Sequence, residues 1–325
     1  MNSDRNFLNK FNHQFEKINS ELGKSLISKV PLIREIAQHS LLGEGKRLRP
    51  LLFVLSSRLC GYEKENVYEL STIFEYIHTA SLLHDDVLDN AELRRKKPSA
   101  NHLWGTSAAV LSGDYFYSKS SALAVSYKNL HFLKMLTDTT VRMTEGQVLE
   151  LAQTDNWHIN KVDYMEIIIS KTAVLISATC ACGAITAGAE KETVDHLKDF
   201  GMNLGIAFQM MDDILDYTSC EEEFGKPVGK DLREGKITLP LIYTLSNLEN
   251  DEIERLQNLF KSQKAKDRDY SRLIDMVRSD GALDRIRSEA NGYVEKAASA
   301  LKVIPDSPVK EDLMAINAYL IKRHF

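Results

Sequence analysis

The sequence predicts an all-α protein with one domain spanning residues 1–325. Three observations carry that expectation. Apolar residues recur at helical spacing almost throughout, no stretch alternates with period two for long, and the seven prolines stand mostly at expected helix starts such as Pro50, Pro98 and Pro240. With 325 residues, 43% hydrophobic and 27% charged, the chain can bury a large core.

The first clear stripe covers 47–60. The next, 66–89, places Val67, Leu70, Ile73, Phe74, Ile77, Leu83 and Val87 on one broad face, with Asn66 as its expected N-cap. Similar stripes occupy 105–125, 130–153, 160–188, 192–218, 237–247, 251–262, 282–301 and 309–322. The breaks between them are short, at "GYEKE", "RRKKPSAN" and "TDNWHIN". Only "CEEEFGKPVGKDLREGK", about 220–236, is long and rich in charge and glycine, which reads as a mobile flap. No low-complexity tract or solenoid repeat is present.

Composition excludes several function classes. A formal charge of −5 gives no basic footprint for nucleic acid. The four cysteines form no C-x-x-C pair, which argues against a zinc site and a secreted disulfide framework and favours a reducing cytoplasm. The N-terminus mixes charges without an apolar run, unlike a signal peptide. Residues 167–189 are long enough for a membrane span, but Lys171 and many small residues fit a helix packed on all sides, so no transmembrane segment is expected.

Two acidic runs stand out. "LLHDDVLDN" carries Asp85, Asp86 and Asp89, and "MMDDILDYT" repeats the spacing with Asp212, Asp213 and Asp216. On a helix, positions four apart lie on one face, so Asp85 pairs with Asp89 and Asp212 with Asp216. Carboxylates about 4 Å apart repel by about 4 kcal/mol at an effective dielectric near 20, so a cation must stand between them. Oxygen-only ligands favour Mg²⁺, which fills its shell with phosphate oxygens and water.

Cations suited to a diphosphate are present as well. They are Lys46, Arg47 and Arg49 in "GEGKRLRP", Arg94 to Lys97 in "LRRKKP", Lys171 with Thr172 in "SKTA", and the flap lysines Lys226, Lys230 and Lys236. No Ser-His-Asp or Cys-His arrangement is apparent.

Together "GKRLRP", "IHTASLLHDDVLDNAELRRKKPSAN", "GDYFYSKS", "SKTAVL", "GIAFQMMDDILDY" and "GKPVGKDLREGKITLPLIY" resemble the trans-prenyltransferases, the polyprenyl diphosphate synthases, over about residues 40–245 in the family's order. The resemblance implies an isoprenoid-synthase-type helical bundle around a deep central cavity, usually a homodimer. It implies Mg²⁺, two or three ions per site, and condensation of an allylic prenyl diphosphate with isopentenyl diphosphate. Asp85, Asp89 and Asp212 would be metal ligands; Asp216, counted with them, would act directly or through water, as would Asp86 and Asp213. Arg94, Lys171, Thr172, Gln209, Lys226 and Lys236 would hold the allylic diphosphate, and Lys46, Arg49, His78 and Arg95 isopentenyl diphosphate. Lys96 departs from the family's glycine after the paired arginines, and "EGQVLEL" departs from its commoner form, so Gln147 and Glu150 receive no role.

In that family a bulky residue four or five positions before the first acidic run stops chain growth early. Those positions here are Ser81 and Ala80, both small. Ser81, Ile77 and Phe74 descend about 6, 12 and 16 Å below Asp85. A product of about C30 or longer is expected, with the floor at Ile77, Phe74 or an aromatic of "GDYFYSKS". The alternatives are a farnesyl or geranylgeranyl diphosphate synthase and a non-catalytic prenyltransferase subunit. Such subunits tend to lose one acidic run, and this chain keeps both. A terpene cyclase would carry Asn and Ser or Thr where the second run repeats aspartate.

Overall fold

The computed structural model describes residues 7–24, 27–43, 45–218, 228–262 and 264–321. The expectations placed on Lys226 and on the first part of the flap lie outside these residues. Chain contacts divide the protein into two compact units: residues 1–140, 175–199 and 303–314, and residues 141–174, 200–302 and 315–325. The described residues are helical except for one two-residue hairpin and the connecting loops, in agreement with the expected all-α class.

In the first unit, helices α1 (Asn12–Lys24), α2 (Pro31–Ser40) and α3 (Leu48–Leu59) precede α4 (Val67–Leu88), the most embedded of the set. The hairpin β1 (Leu93–Arg94) and β2 (Lys97–Pro98) follows, then α5 (Ala100–Trp104) and α6 (Thr106–Ser126). Helix α4 packs most extensively on α6, and also on α3 and α1. Its stripe explains this, since Val67, Leu70, Ile73, Phe74, Ile77 and Leu83 are all buried. Each such side chain contributes roughly 1.5–3 kcal/mol by leaving water. Phe74 joins Phe53 and Phe132 in an aromatic cluster, with ring centroids 5.3 and 6.2 Å away. Asn66 precedes α4 without capping it; its side chain accepts from Tyr62 Oη at 2.8 Å instead. Pro98 ends the hairpin and does not begin a helix.

Helix α7 (Leu130–Ala152) leads to α8 (Lys161–Ile168), one wide π turn (Ile169–Ala173) and α9 (Val174–Ala187). Asn160 caps α8 through its side-chain oxygen, 2.8 Å from Val162 N and 3.0 Å from Asp163 N. The run Lys161–Ala187 is the one described helix long and apolar enough to cross a membrane, and 83% of its most apolar window is buried inside the protein. Gly183 lets α9 approach α3, because a Cβ there would lie 2.8 Å from the Phe53 carbonyl oxygen.

The second unit contains α10 (Lys191–Thr218) from residue 200 onward, α11 (Lys230–Arg233), α12 (Leu239–Leu245), α13 (Asn250–Lys261), α14 (Asp267–Ser279) and α15 (Ala282–Leu301); α16 (Pro308–Ile321) closes the described chain. Its core gathers Tyr164, Ile214, Tyr217, Leu239, Val277 and Ile286. Gly205 brings α10 against the π turn, where an added Cβ would sit 2.6 Å from Ala173 Cα.

Candidate active site

Both acidic runs lie toward the C-terminal end of a helix, Asp85, Asp86 and Asp89 in the last turn and C-cap of α4, and Asp212, Asp213 and Asp216 in the last two turns of α10. No basic residue shares either last turn. Helix C-termini carry partial negative charge, so each aspartate there costs about 0.3–1 kcal/mol more than on a neutral surface. Packing alone does not place six carboxylates at two such ends.

In the first run Asp85 and Asp89 are half-buried and Asp86 is buried at 3% exposure. Arg94 neutralises Asp86 by a fork, Nε lying 2.6 and 2.8 Å from the two carboxylate oxygens and Nη2 2.6 Å from Oδ1. The chain delivers Arg94 there by turning at Asn90 (φ +49°) and closing a hairpin over Arg95 (φ +52°) and Lys96 (φ +63°). Two successive positive φ values define the hairpin turn that glycine fits best, which explains why the family's glycine and this chain's lysine share a position.

On the preceding turns of α4, His78 is half-buried and stays neutral. Its pKa falls well below the usual imidazole range, first through burial and then through Arg49, Arg95, Arg94 and Arg47. Arg95 also reaches the 45–49 loop, since a Cβ on Gly45 would lie 3.0 Å from its Nη1. Thus Arg49, His78 and Arg95 gather in one place, with Lys46 exposed beside them. Arg47 has a different part. It begins α3 at φ +49°, is buried, and bonds Glu75 at 2.8 Å, Asn19 and the Gly43 carbonyl, fixing the loop from behind. On α6, Tyr117 faces Asp85; burial and then that carboxylate push its pKa up to about 12, so its hydroxyl keeps its proton. Below the aspartates, Ser81 is half-buried and donates to the His78 carbonyl, whereas Ala80, Ile77 and Phe74 are fully buried.

In the second run Asp212 is half-buried, and the two other carboxylates are anchored. Asp213, 2% exposed, accepts from Tyr164 Oη at 2.5 Å and from Gln209 Nε2 at 2.9 Å. Burial and then the neighbouring Asp231 raise its pKa well above the carboxylate range. Asp216 caps α11, its two oxygens lying 3.0 Å from Lys230 N and 3.2 Å from Asp231 N. Burial and then Asp231 push Asp216 up to about 7. A cation bound beside such crowded carboxyls would relieve their repulsion. Glu234 in turn bonds both Lys230 and Lys236, at 2.5 and 2.8 Å.

The π turn presents Lys171 and Thr172 to the same region. Lys171 bonds Glu150 at 2.5 Å, and Thr172 donates to Gln209 Oε1 at 2.9 Å. Glu150, Lys171, Thr172, Gln209, Asp213, Asp231 and Lys236 line a pocket of about 160 Å³ within the second unit. Tyr164 and Asp231 were not among the residues expected from the sequence, and Glu150 was noted within "EGQVLEL" without a role. Asp231 lay within the flap motif, whereas Glu150 and Tyr164 reach partners 21 and 49 residues away.

Among the described residues, no three His, Cys, Asp or Glu side chains converge to hold a metal by themselves.

Residues 30–277 match the family described as polyprenyl synthetase. The octaprenyl diphosphate synthase of Escherichia coli (strain K12) is 35% identical over 306 residues, 94% of each chain. Component 2 of the heptaprenyl diphosphate synthase of Bacillus subtilis (strain 168) is 34% identical, covering 97% of this chain and 89% of its own. The crystal structure of a polyprenyl synthase from Caulobacter crescentus CB15, complexed with calcium and isoprenyl diphosphate, superposes with a TM-score of 0.93 at 34% identity over 98% of both chains.

Proposed function

This chain belongs to the polyprenyl synthetase family and is a prenyltransferase of the all-α isoprenoid synthase fold, and we propose that it condenses isopentenyl diphosphate with an allylic diphosphate to make a long trans-polyprenyl diphosphate of about C30 or longer. In this reading both units act as one catalytic domain. Asp85, Asp89 and Asp212 supply the metal ligands, joined by Asp216, whose carboxylate keeps lone pairs after capping α11. The donor set is oxygen only and its carboxyls are crowded, which fits two or three Mg²⁺ ions. When bound, Mg²⁺ supplies charge neutralisation for a departing diphosphate.

Lys171, Thr172, Gln209, Lys226 and Lys236 hold the allylic diphosphate, and Arg94 serves it from the hairpin while clamping Asp86. Arg49, Arg95, Lys46 and His78 hold isopentenyl diphosphate. His78 is held neutral, so it orients an oxygen by hydrogen bonding without adding charge. Ionisation of the allylic C–O bond gives a delocalised cation, the isopentenyl double bond attacks it, and a proton leaves to the released diphosphate. Tyr117, kept protonated beside Asp85, takes no part as a base. The small pair Ala80 and Ser81 leaves the chain room to grow toward Ile77 and Phe74.

Large apolar side chains stand exposed on α6 (Leu111, Val125) and α7 (Leu130, Val141, Val148, Leu151), which supports a homodimer. The buried free thiols Cys180 and Cys182 support the cytoplasm as its compartment. The observation that carries the reading is the repeated acidic run at the negative end of two helices, each beside phosphate-matching cations. Incubation with Mg²⁺, isopentenyl diphosphate and farnesyl diphosphate, followed by sizing of the dephosphorylated products, tests it. Products of C30 or longer are expected. Products stopping at C20 would assign a short-chain synthase, and no elongation of the C15 primer would remove the long-chain reading.

A further inference from the structure

We propose that Tyr164 is a positioning residue for the allylic diphosphate, acting through Asp213 and Gln209. The Gln209 side chain is an amide that can point two ways. Gln209 offers one oxygen and one NH₂ group, which differ in sign at the same place, and only one orientation helps an anion. Asp213 decides between them. Its Oδ1 accepts from Gln209 Nε2 at 2.9 Å, so the amide oxygen turns to Thr172 and accepts its hydroxyl at 2.9 Å. The second N–H of Gln209 and the oxygen of Thr172 are then fixed in direction on the pocket that also contains Lys171 and Lys236.

What keeps Asp213 in that rotamer is Tyr164, whose hydroxyl donates to Oδ2 at 2.5 Å from the neighbouring helix α8. Both groups are almost fully buried, at 3% and 2% exposure, so no water replaces the contact. Arg94 grips the corresponding Asp86 with charge. A cation at Tyr164 would compete with the pocket lysines Lys171 and Lys236 for the carboxylates, whereas a phenol locks Asp213 while leaving the local charge unchanged. Tyr164 on α8 and Thr172 in the π turn that follows it stand at the two ends of the chain Tyr164, Asp213, Gln209, Thr172.

The inference rests on the prenyltransferase reading, and the two fail separately. A wild-type protein with no condensing activity removes both; an active one isolates the role of Tyr164. Tyr164→Phe removes one oxygen and keeps the ring. It should raise KM for the allylic diphosphate about tenfold, the size of one lost hydrogen bond to a charged partner, with KM for isopentenyl diphosphate changed less than about twofold. Asp213→Asn is the second variant: with one oxygen replaced by NH₂, the side chain can no longer accept from Gln209 and Tyr164 together, and the lock on the Gln209 amide is lost. The same selective rise is expected, and the double variant should be no worse than Asp213→Asn alone. Equal rises in both KM values, an unchanged allylic KM, or additive effects in the double variant would overturn the inference. If Tyr164→Phe fails to fold, Asp213→Asn decides by the same ratio.

Discussion

The two acidic runs share one spacing and solve one problem differently. In each, the second aspartate is buried and turned toward protein, yet Asp86 is met by the guanidinium of Arg94 and Asp213 by the neutral donors Tyr164 and Gln209. Asp213 accordingly has its pKa driven up by burial. In the first run the hairpin therefore balances Asp86. In the second, Asp231 crowds Asp213 and Asp216, and Lys230 offsets part of that charge. The same D-D-x-L-D pattern thus carries a charged clamp on one helix and a neutral-donor lock on the other.

The sharpest way to break this comparison is to remove a charge from each run. Asp85→Asn and Asp212→Asn should each lower turnover by about a hundred- to a thousandfold, as loss of a transition-state contact does. Steady-state kinetics at saturating Mg²⁺ checks this, and a loss confined to one run would break the symmetry of the account. Arg94→Met should next cost about 2–3 kcal/mol of unfolding free energy, because it leaves Asp86 buried without its cation, against about 1 kcal/mol for Tyr164→Phe. Urea midpoints give both, and equal losses would contradict the charged-versus-neutral distinction.

His78 adds a pH test. Its folded pKa lies below the unfolded value of about 6.5, so the unfolded chain binds the proton more readily. The stability associated with neutral His78 is therefore complete above about pH 6.5 and drains as pH falls, by at most about 1.4 kcal/mol per pH unit. His78→Asn should flatten that slope in denaturant titrations between pH 7 and pH 5. The smallest expected effect is at the hairpin. Lys96→Gly should stabilise by about 0.5–1 kcal/mol by relieving a positive φ, provided that strain exceeds the added entropy of glycine.

Most helices were legible because each carries an apolar stripe wide enough to read. Helices α1, α2 and α14 escaped notice, because only Ile18 and Leu22, Ile36 and Ala37, and Leu273, Ile274 and Val277 are buried on them. The π turn inside 160–188 was also invisible, since one wide turn barely shifts a periodic pattern. In the site, groups linked by local spacing were found and groups linked through space were not. Arg47 with Glu75, Lys171 with Glu150 and Tyr164 with Asp213 join residues 28, 21 and 49 positions apart. Such pairs exist only once the chain has folded.

The most direct measurement counts Mn²⁺ ions and pyrophosphate bound together, by electron paramagnetic resonance and equilibrium dialysis, in wild type and in the double variants Asp85→Asn/Asp89→Asn and Asp212→Asn/Asp216→Asn. If cations bridge both runs through one diphosphate, either variant should lose metal and pyrophosphate binding in parallel. Retention of full pyrophosphate affinity by either variant, with only its own metal lost, would contradict the account.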